Sequence, residues 1–381
     1  MRVWYITNLP APYTVEFFDE LGKRCSLSVI YERKSASDRD LKWKANDKQK
    51  NYIEFYLKGK NVGGENSFGF GLIKFFKKNY KTDTPDAIVF GDYSTYTSII
   101  GIEYLKLHHI PYVISTDGGF PNYEESSIKR KLKKRLIGGA SWWFSSGGKT
   151  NSYLEYYGAK SERITQYPFT SLAETDILNE LPDEEEKSSV RSNLGMSNGK
   201  VIVGVGQFIE RKGWDILVRA FEEVNEEGSD VSLYIIGGKT GDLENLIGKE
   251  IPNGIFAIPF MSKRELFQYY RAADLFVLPT REDIWGLVVN EAMAMGLPVI
   301  TTDRCNAGIE LVKNGVNGFV VEAGDEKALK NVMSKILKTE NERIKEMGQM
   351  SLHIISGYTH EKMVQCYMDG LEKYTCRGGN V

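Results

Sequence analysis

Short apolar runs alternate along this chain with longer stretches whose apolar residues fall on one helical face. RVWYIT leads into a helical pattern at VEFFDELGKR and then SLSVIY; DAIVFG, a helix near SIIGIEYLKLH and PYVIST follow later. The same alternation restarts with KVIVGVG, WDILVRAFEEV, SLYIIGG, GIFAIPF, KRELFQYYRAA, DLFVLPT and PVITTD. Parallel strands need crossover helices, so strand–helix alternation predicts an α/β fold with a doubly wound sheet in each half. Between the halves the core pattern lapses at AETDILNELPDEEEKSSVRSN, where Pro182 breaks any helix. The reading is therefore a first Rossmann-like domain over 1–172, a linker over 173–193 and a second Rossmann-like domain over 194–357. The pattern EKMVQCYMDGLEKY has helical spacing, and a helix over 358–375 is expected to pack back on the first domain.

Composition narrows the function classes. The 381 residues suffice for two domains, each with its own core, which suits an enzyme. Lys and Arg number 49 against 51 Asp and Glu, so no global charge favours nucleic acid. Cys25, Cys305, Cys366 and Cys376 are scattered without metal-ligand or disulfide spacing, which points to a reducing, cytoplasmic setting. MRVWYITNLP meets a proline after too short an apolar run for a signal peptide, and no window is long enough to span a bilayer.

The chemistry concentrates in the second half. REDIWGLVVNEAMAMGLPVI sets Asp283 and Glu291 eight residues apart around an apolar, small-residue core. DLFVLPT reads as a buried strand and TREDIW as the loop leaving its carboxyl end, where ligands of such sheets gather. A helix over 286–295 would then aim the amides of Gly286, Leu287 and Val288 outward as an anion site. Asp283 lies beside that site, and Glu291, more than a turn into the helix, can accept hydrogen bonds from vicinal ribose hydroxyls. In VGVGQFIERKGWDIL a strand ends at Gly206, and Arg211 and Lys212 precede a glycine and a helix, two cations suited to a diphosphate. The same stretch lacks the third glycine of a dinucleotide fingerprint, which argues against a nicotinamide cofactor.

Over Lys200 to Val321 these motifs resemble the retaining glycosyltransferases of family 4, the glycosyl transferases group 1. The resemblance implies the GT-B fold, two facing Rossmann-like domains with a central cleft. The family signature has two glutamates separated by seven residues; here the first is shortened to Asp283. By resemblance Glu291 binds the nucleotide ribose, Asp283 contacts the donor sugar, and Arg211 and Lys212 hold the diphosphate leaving group. The family often carries a histidine near the reacting sugar. None of the four histidines fits that place; Asp117 stands there, followed by Gly118 and Gly119, which would let backbone approach a ligand. A turn-forming Asp117 is the equal alternative.

The implied activity is transfer of a hexose or related sugar from a nucleoside-diphosphate sugar, UDP- or GDP-linked, to a hydroxyl of a glycan or lipid-linked glycan in surface polysaccharide biosynthesis. No metal or other cofactor is implied, and Asp38-Arg39-Asp40, the one Asp-x-Asp triplet, reads as a solvated loop. Six basic residues lie within Lys129 to Arg135, and LIKFFKKNYK mixes cations with aromatics; both suit a solvated helix face or docking on anionic lipid at the cytoplasmic membrane surface. Two other readings stay open, a sugar-nucleotide epimerase of the same fold and a non-catalytic sugar-nucleotide-binding partner subunit.

Overall fold

The computed structural model describes residues 1–34, 50–63, 66–226 and 230–378. The chain divides into two compact units, one of residues 1–171 and 360–381, the other of residues 172–359. Asp38-Arg39-Asp40 lies outside the described residues.

The first unit opens with β1 (Arg2–Thr7), α1 (Pro12–Gly22), β2 (Ser26–Tyr31) and β3 (Ile53–Tyr56). An antiparallel pair, β4 (Lys58–Gly63) and β5 (Asn66–Phe70), leads to α2 (Leu72–Asn79). Then come β6 (Ala87–Phe90), α3 (Tyr96–Leu107), β7 (Val113–Thr116), α4 (Ser127–Ile137), β8 (Trp142–Ser145), α5 (Gly148–Tyr156) and β9 (Ile164–Gln166). The parallel sheet runs β3-β2-β1-β6-β7-β8-β9. Its central strands are covered on both faces and carry continuous apolar runs; Val3, Trp4, Tyr5 and Ile6 of β1 are all buried.

The second unit starts before its first strand. The stretch 173–193, expected as a polar linker, is structured. Pro182 precedes α6 (Glu184–Leu194) and does not break it; Asp183 and Glu186 form a capping box at its start. Arg191 is buried, donating to the carbonyls of Ala272 and Gly199 and to Asp274 Oδ2 at 2.8 Å. Acidic residues that read as a solvated run are the first turn of a helix docked through Arg191 and Lys187, both on Asp274. There follow β10 (Lys200–Val205), α7 (Trp214–Glu226), β11 (Val231–Ile236), α8 (Thr240–Ile247), β12 (Ile255–Ile258), α9 (Lys263–Ala272) and β13 (Leu275–Leu278). Next are α10 (Leu287–Ala294), β14 (Val299–Thr302), α11 (Asn306–Leu311), β15 (Gly318–Val321), α12 (Glu326–Leu337) and α13 (Asn341–Ile355). The parallel order is β12-β11-β10-β13-β14-β15, so β10 and β13, whose ends carry the predicted motifs, are adjacent.

The chain then returns to the first unit with α14 (His360–Gly378), which packs on α1, β8 and β9. Its Tyr367 is fully buried, stacked on Phe144 at 3.7 Å between centroids and edge-on to Phe17 and Tyr167. Among the described residues no helix is long and apolar enough to cross a membrane.

Candidate active site

At the end of β10 the chain turns through Gly206 into a short 3-10 turn, Glu210–Lys212, and Gly213. Gly213 has φ +72°, and a Cβ there would lie 2.1 Å from the Pro279 carbonyl oxygen at the end of β13. Only glycine combines that left-handed backbone with so close an approach. The two loops are laced together beyond this contact. The Arg211 carbonyl accepts from the Arg281 amide (2.8 Å) and the Thr280 hydroxyl (3.0 Å), while the Arg211 guanidinium donates to the Glu282 carbonyl (2.8 Å). Arg281 forms a two-pronged bond to Asp215 in the first turn of α7, at 2.8 and 2.7 Å, and donates to the Glu210 carbonyl. Burial pushes the Asp215 carboxyl up, but the Arg281 and Arg219 guanidiniums, with a backbone hydrogen bond, together hold it below its ordinary range.

This lacing sets Lys212 on Asp283, with Nζ 2.5 Å from Oδ2 and both side chains largely buried. The Lys212 side chain lies over Gly206, and Asp283 lies next to Gly286, so one continuous patch joins the ends of β10 and β13. The Asp283 loop is fixed from the other side by the Arg304 carbonyl (2.8 Å to the Asp283 amide). Gly286 caps α10 at φ +98° with no side-chain cap, leaving the amide end of the helix to its surroundings. Beneath it the Cys305 thiol, raised to about 12 by burial, donates to the Trp285 carbonyl at 3.1 Å. Glu291, four residues into α10, accepts from the Tyr270 hydroxyl at 3.3 Å.

In the first unit Asp117 follows β7 and is half-buried. Tyr13 donates to its Oδ2 at 3.5 Å, a long bond. Burial raises the carboxyl to about 7; Tyr13 and Tyr167 oppose this, and the negative charge of Asp92 reinforces it.

Residues 199–339 match the Glycosyl transferases group 1 family. The match lies wholly within the second unit. The chain's two Rossmann-like units have GT-B enzymes as structural neighbours. Among curated relatives, the D-inositol 3-phosphate glycosyltransferase of Nocardia farcinica is 27% identical over 236 residues, 58% of this chain and 51% of the relative. The capsular polysaccharide biosynthesis glycosyltransferase CapM of Staphylococcus aureus is 33% identical over 154 residues, 38% of this chain and 39% of the relative. The chain spans about half the length of the first of these relatives and less of the second. The structure of Anabaena HepE in complex with UDP superposes with a TM-score of 0.77 at 17% identity, covering 98% of this chain and 100% of that one, a likeness of fold.

Set against the family motif, the structure brings Gly206, Lys212, Asp283 and Gly286 together, with Leu287 and Val288 opening α10. The helix read as 286–295 spans Leu287–Ala294, with Gly286 as its cap. Arg211 joins the loop by its backbone, and its side chain engages a carbonyl. Gly119 serves a purpose other than the expected one: a Cβ there would lie 2.8 Å from Cγ of Tyr153, so its bareness makes room for that ring. Sequence reasoning missed the Arg281–Asp215 clamp and Tyr270. The first left no local signal, because its partners are 66 positions apart; Tyr270 was absorbed into the apolar face of α9.

Proposed function

We propose that this protein is a retaining glycosyltransferase that moves a sugar from a UDP- or GDP-sugar to a hydroxyl of a glycan or lipid-linked glycan in surface polysaccharide synthesis. The observation that carries the reading is the largely buried Lys212–Asp283 pair beside the amide end of α10, which no side chain caps. Retaining transfer needs stabilisation at one junction, where the anomeric carbon turns cationic as negative charge grows on the departing diphosphate. Lys212, Arg211 and the amides of Gly286, Leu287 and Val288 offer positive charge to the diphosphate, and Asp283 offers an acceptor to the sugar. The mutual grip of Lys212 and Asp283 fixes both groups before the donor arrives, so little reorganisation remains at the transition state. Glu291 takes the ribose hydroxyls.

The acceptor oxygen attacks from the face the diphosphate leaves. Its bond to the anomeric carbon forms as the bond to the diphosphate oxygen breaks, that oxygen keeps the electron pair, and it takes the acceptor's proton. No separate strong base is required. Asp117 is assigned a hydrogen bond to the donor sugar and stabilisation of the developing cation. The UDP held by HepE supports the donor class, and the capsular role named for CapM supports the acceptor class.

Peripheral contact with anionic lipid is part of the same reading. On α4, Ile128 is 79% and Leu132 40% exposed among the exposed cations Lys129, Lys131 and Lys134. Lys133 is different: it pairs with Glu125 at 2.9 Å and lies over the Tyr157 ring. Nucleotide release from a panel of UDP- and GDP-sugars, measured with and without glycan acceptor and in excess chelator, tests the proposal. Acceptor-dependent, chelator-resistant release is expected. Product without acceptor would make the protein an epimerase, binding without turnover a silent subunit, and chelator-sensitive release would refute the metal-independent mechanism.

A further inference from the structure

The Tyr270 hydroxyl is the group whose placement the proposed chemistry has not used. Tyr270 is fully buried in α9, its ring edge-on to Phe276 at 5.7 Å and tilted against Phe267 at 6.1 Å. A phenol packed among apolar rings retains an O–H that must find an acceptor or forfeit its hydration. The acceptor the structure gives it is Oε2 of Glu291, one helix away, at 3.3 Å. That bond is longer than the 2.5–3.0 Å of a strong hydroxyl bond. Its worth lies in direction, since a donor held in the packed core of α9 fixes where that oxygen of Glu291 points.

We infer that Tyr270 is a positioning residue that orients the Glu291 carboxylate toward the ribose hydroxyls of the nucleotide. The inference rests on the ribose role proposed for Glu291. A carboxylate has about four lone-pair sites, so accepting one bond from Tyr270 leaves capacity for two vicinal hydroxyls. Burial and the neighbouring Glu291 charge both push the Tyr270 phenol well above its ordinary range, so it stays a donor at any working pH. Tyr270 therefore touches no substrate and acts only through the carboxylate.

The test compares UDP, GDP, ADP and CDP, each with its 2′-deoxy form, by calorimetric titration on the parent, Tyr270→Phe and Glu291→Gln. The ratio of ribo to deoxy affinity is read on one protein sample, so general loosening of the fold cancels. Tyr270→Phe keeps the buried ring and should lower that ratio about three- to tenfold, because the ribo form loses both oriented hydroxyl contacts and the deoxy form only the one to its 3′-hydroxyl. Tyr270→Leu should do the same. If Glu291→Gln lowers the ratio and Tyr270→Phe leaves it at the parental value, Tyr270 only packs the core and the inference is overturned alone. If Glu291→Gln also leaves it unchanged, or no nucleotide binds the parent, the ribose reading itself falls and takes the inference with it.

Discussion

Asp117→Asn separates charge from shape at the end of β7, and it has two readouts that the structure ties together. The carboxyl sits at about 7 in the folded chain, against an ordinary value of 3.8, with burial the largest cause. Between those values the folded chain holds a proton that the unfolded chain has released, so stability falls as pH rises through this window and is level above it. At 1.36 kcal/mol per pH unit the full effect is about 4 kcal/mol, and about 2 kcal/mol once the solvent reaching this half-buried group is allowed for. Asparagine cannot ionise and is spared that loss. The melting temperature of the variant minus that of the parent should therefore climb by roughly 5 °C between pH 4 and pH 8. In catalysis the order inverts. The ionised carboxylate is assigned the support of the oxocarbenium-like carbon, so parental turnover should rise through pH 7. Asp117→Asn should lose that limb and run about ten- to a thousandfold slower at pH 8, with nucleotide affinity little changed. Parallel melting curves across pH would refute the raised carboxyl, and parental turnover in Asp117→Asn would return this residue to turn formation.

Glu291→Gln and Lys212→Ala should each weaken nucleoside diphosphate binding by about 1.5 to 3 kcal/mol, as measured by calorimetry; parental affinity in both would misplace the donor site. Removing the charges of Lys129, Lys131 and Lys134 together should reduce pelleting with anionic vesicles at low salt and leave the melting temperature alone. Lys133→Ala should instead lower the melting temperature, because it strips the buried Glu125 carboxylate of its ion-pair partner and leaves it the Tyr157 hydroxyl. Unchanged pelleting in the triple variant would leave α4 an ordinary solvated face.

Much of this architecture could be read from apolar periodicity, because buried parallel strands write themselves as unbroken apolar runs. DLFVLPT is fully buried from Leu275 to Leu278, and the loop after it holds Asp283 where strand-end logic puts it. Glu291 on α10 was legible for the same reason. The acidic stretch before β10 was misread because composition alone does not separate a solvated run from a capped helix. The Asp183-x-x-Glu186 spacing carried that information; Arg191, its buried anchor, looks like any surface arginine until Asp274 is seen beneath it. Contacts between sequence-distant groups were out of reach: Arg281 on Asp215, Lys212 on Asp283 and Tyr270 on Glu291 depend on which strands are neighbours. Asp117 was located from sequence as a carboxylate, whereas its shifted acidity needed the packing of Tyr13 and Tyr167 around it.

The return of α14 to the first unit makes the second unit, in chain order, an insertion within the first. Until α14 is made, Phe17 and Phe144 lack the aromatic ring of Tyr367 that packs on them. On the ribosome the first sheet waits for about 190 intervening residues, about 10 to 40 s at 5–20 residues per second. The second unit, contiguous in sequence, can complete its core before the first. The amino-terminal half of this protein is therefore the later to mature, and during that interval its uncovered aromatic face is where a chaperone would find its grip.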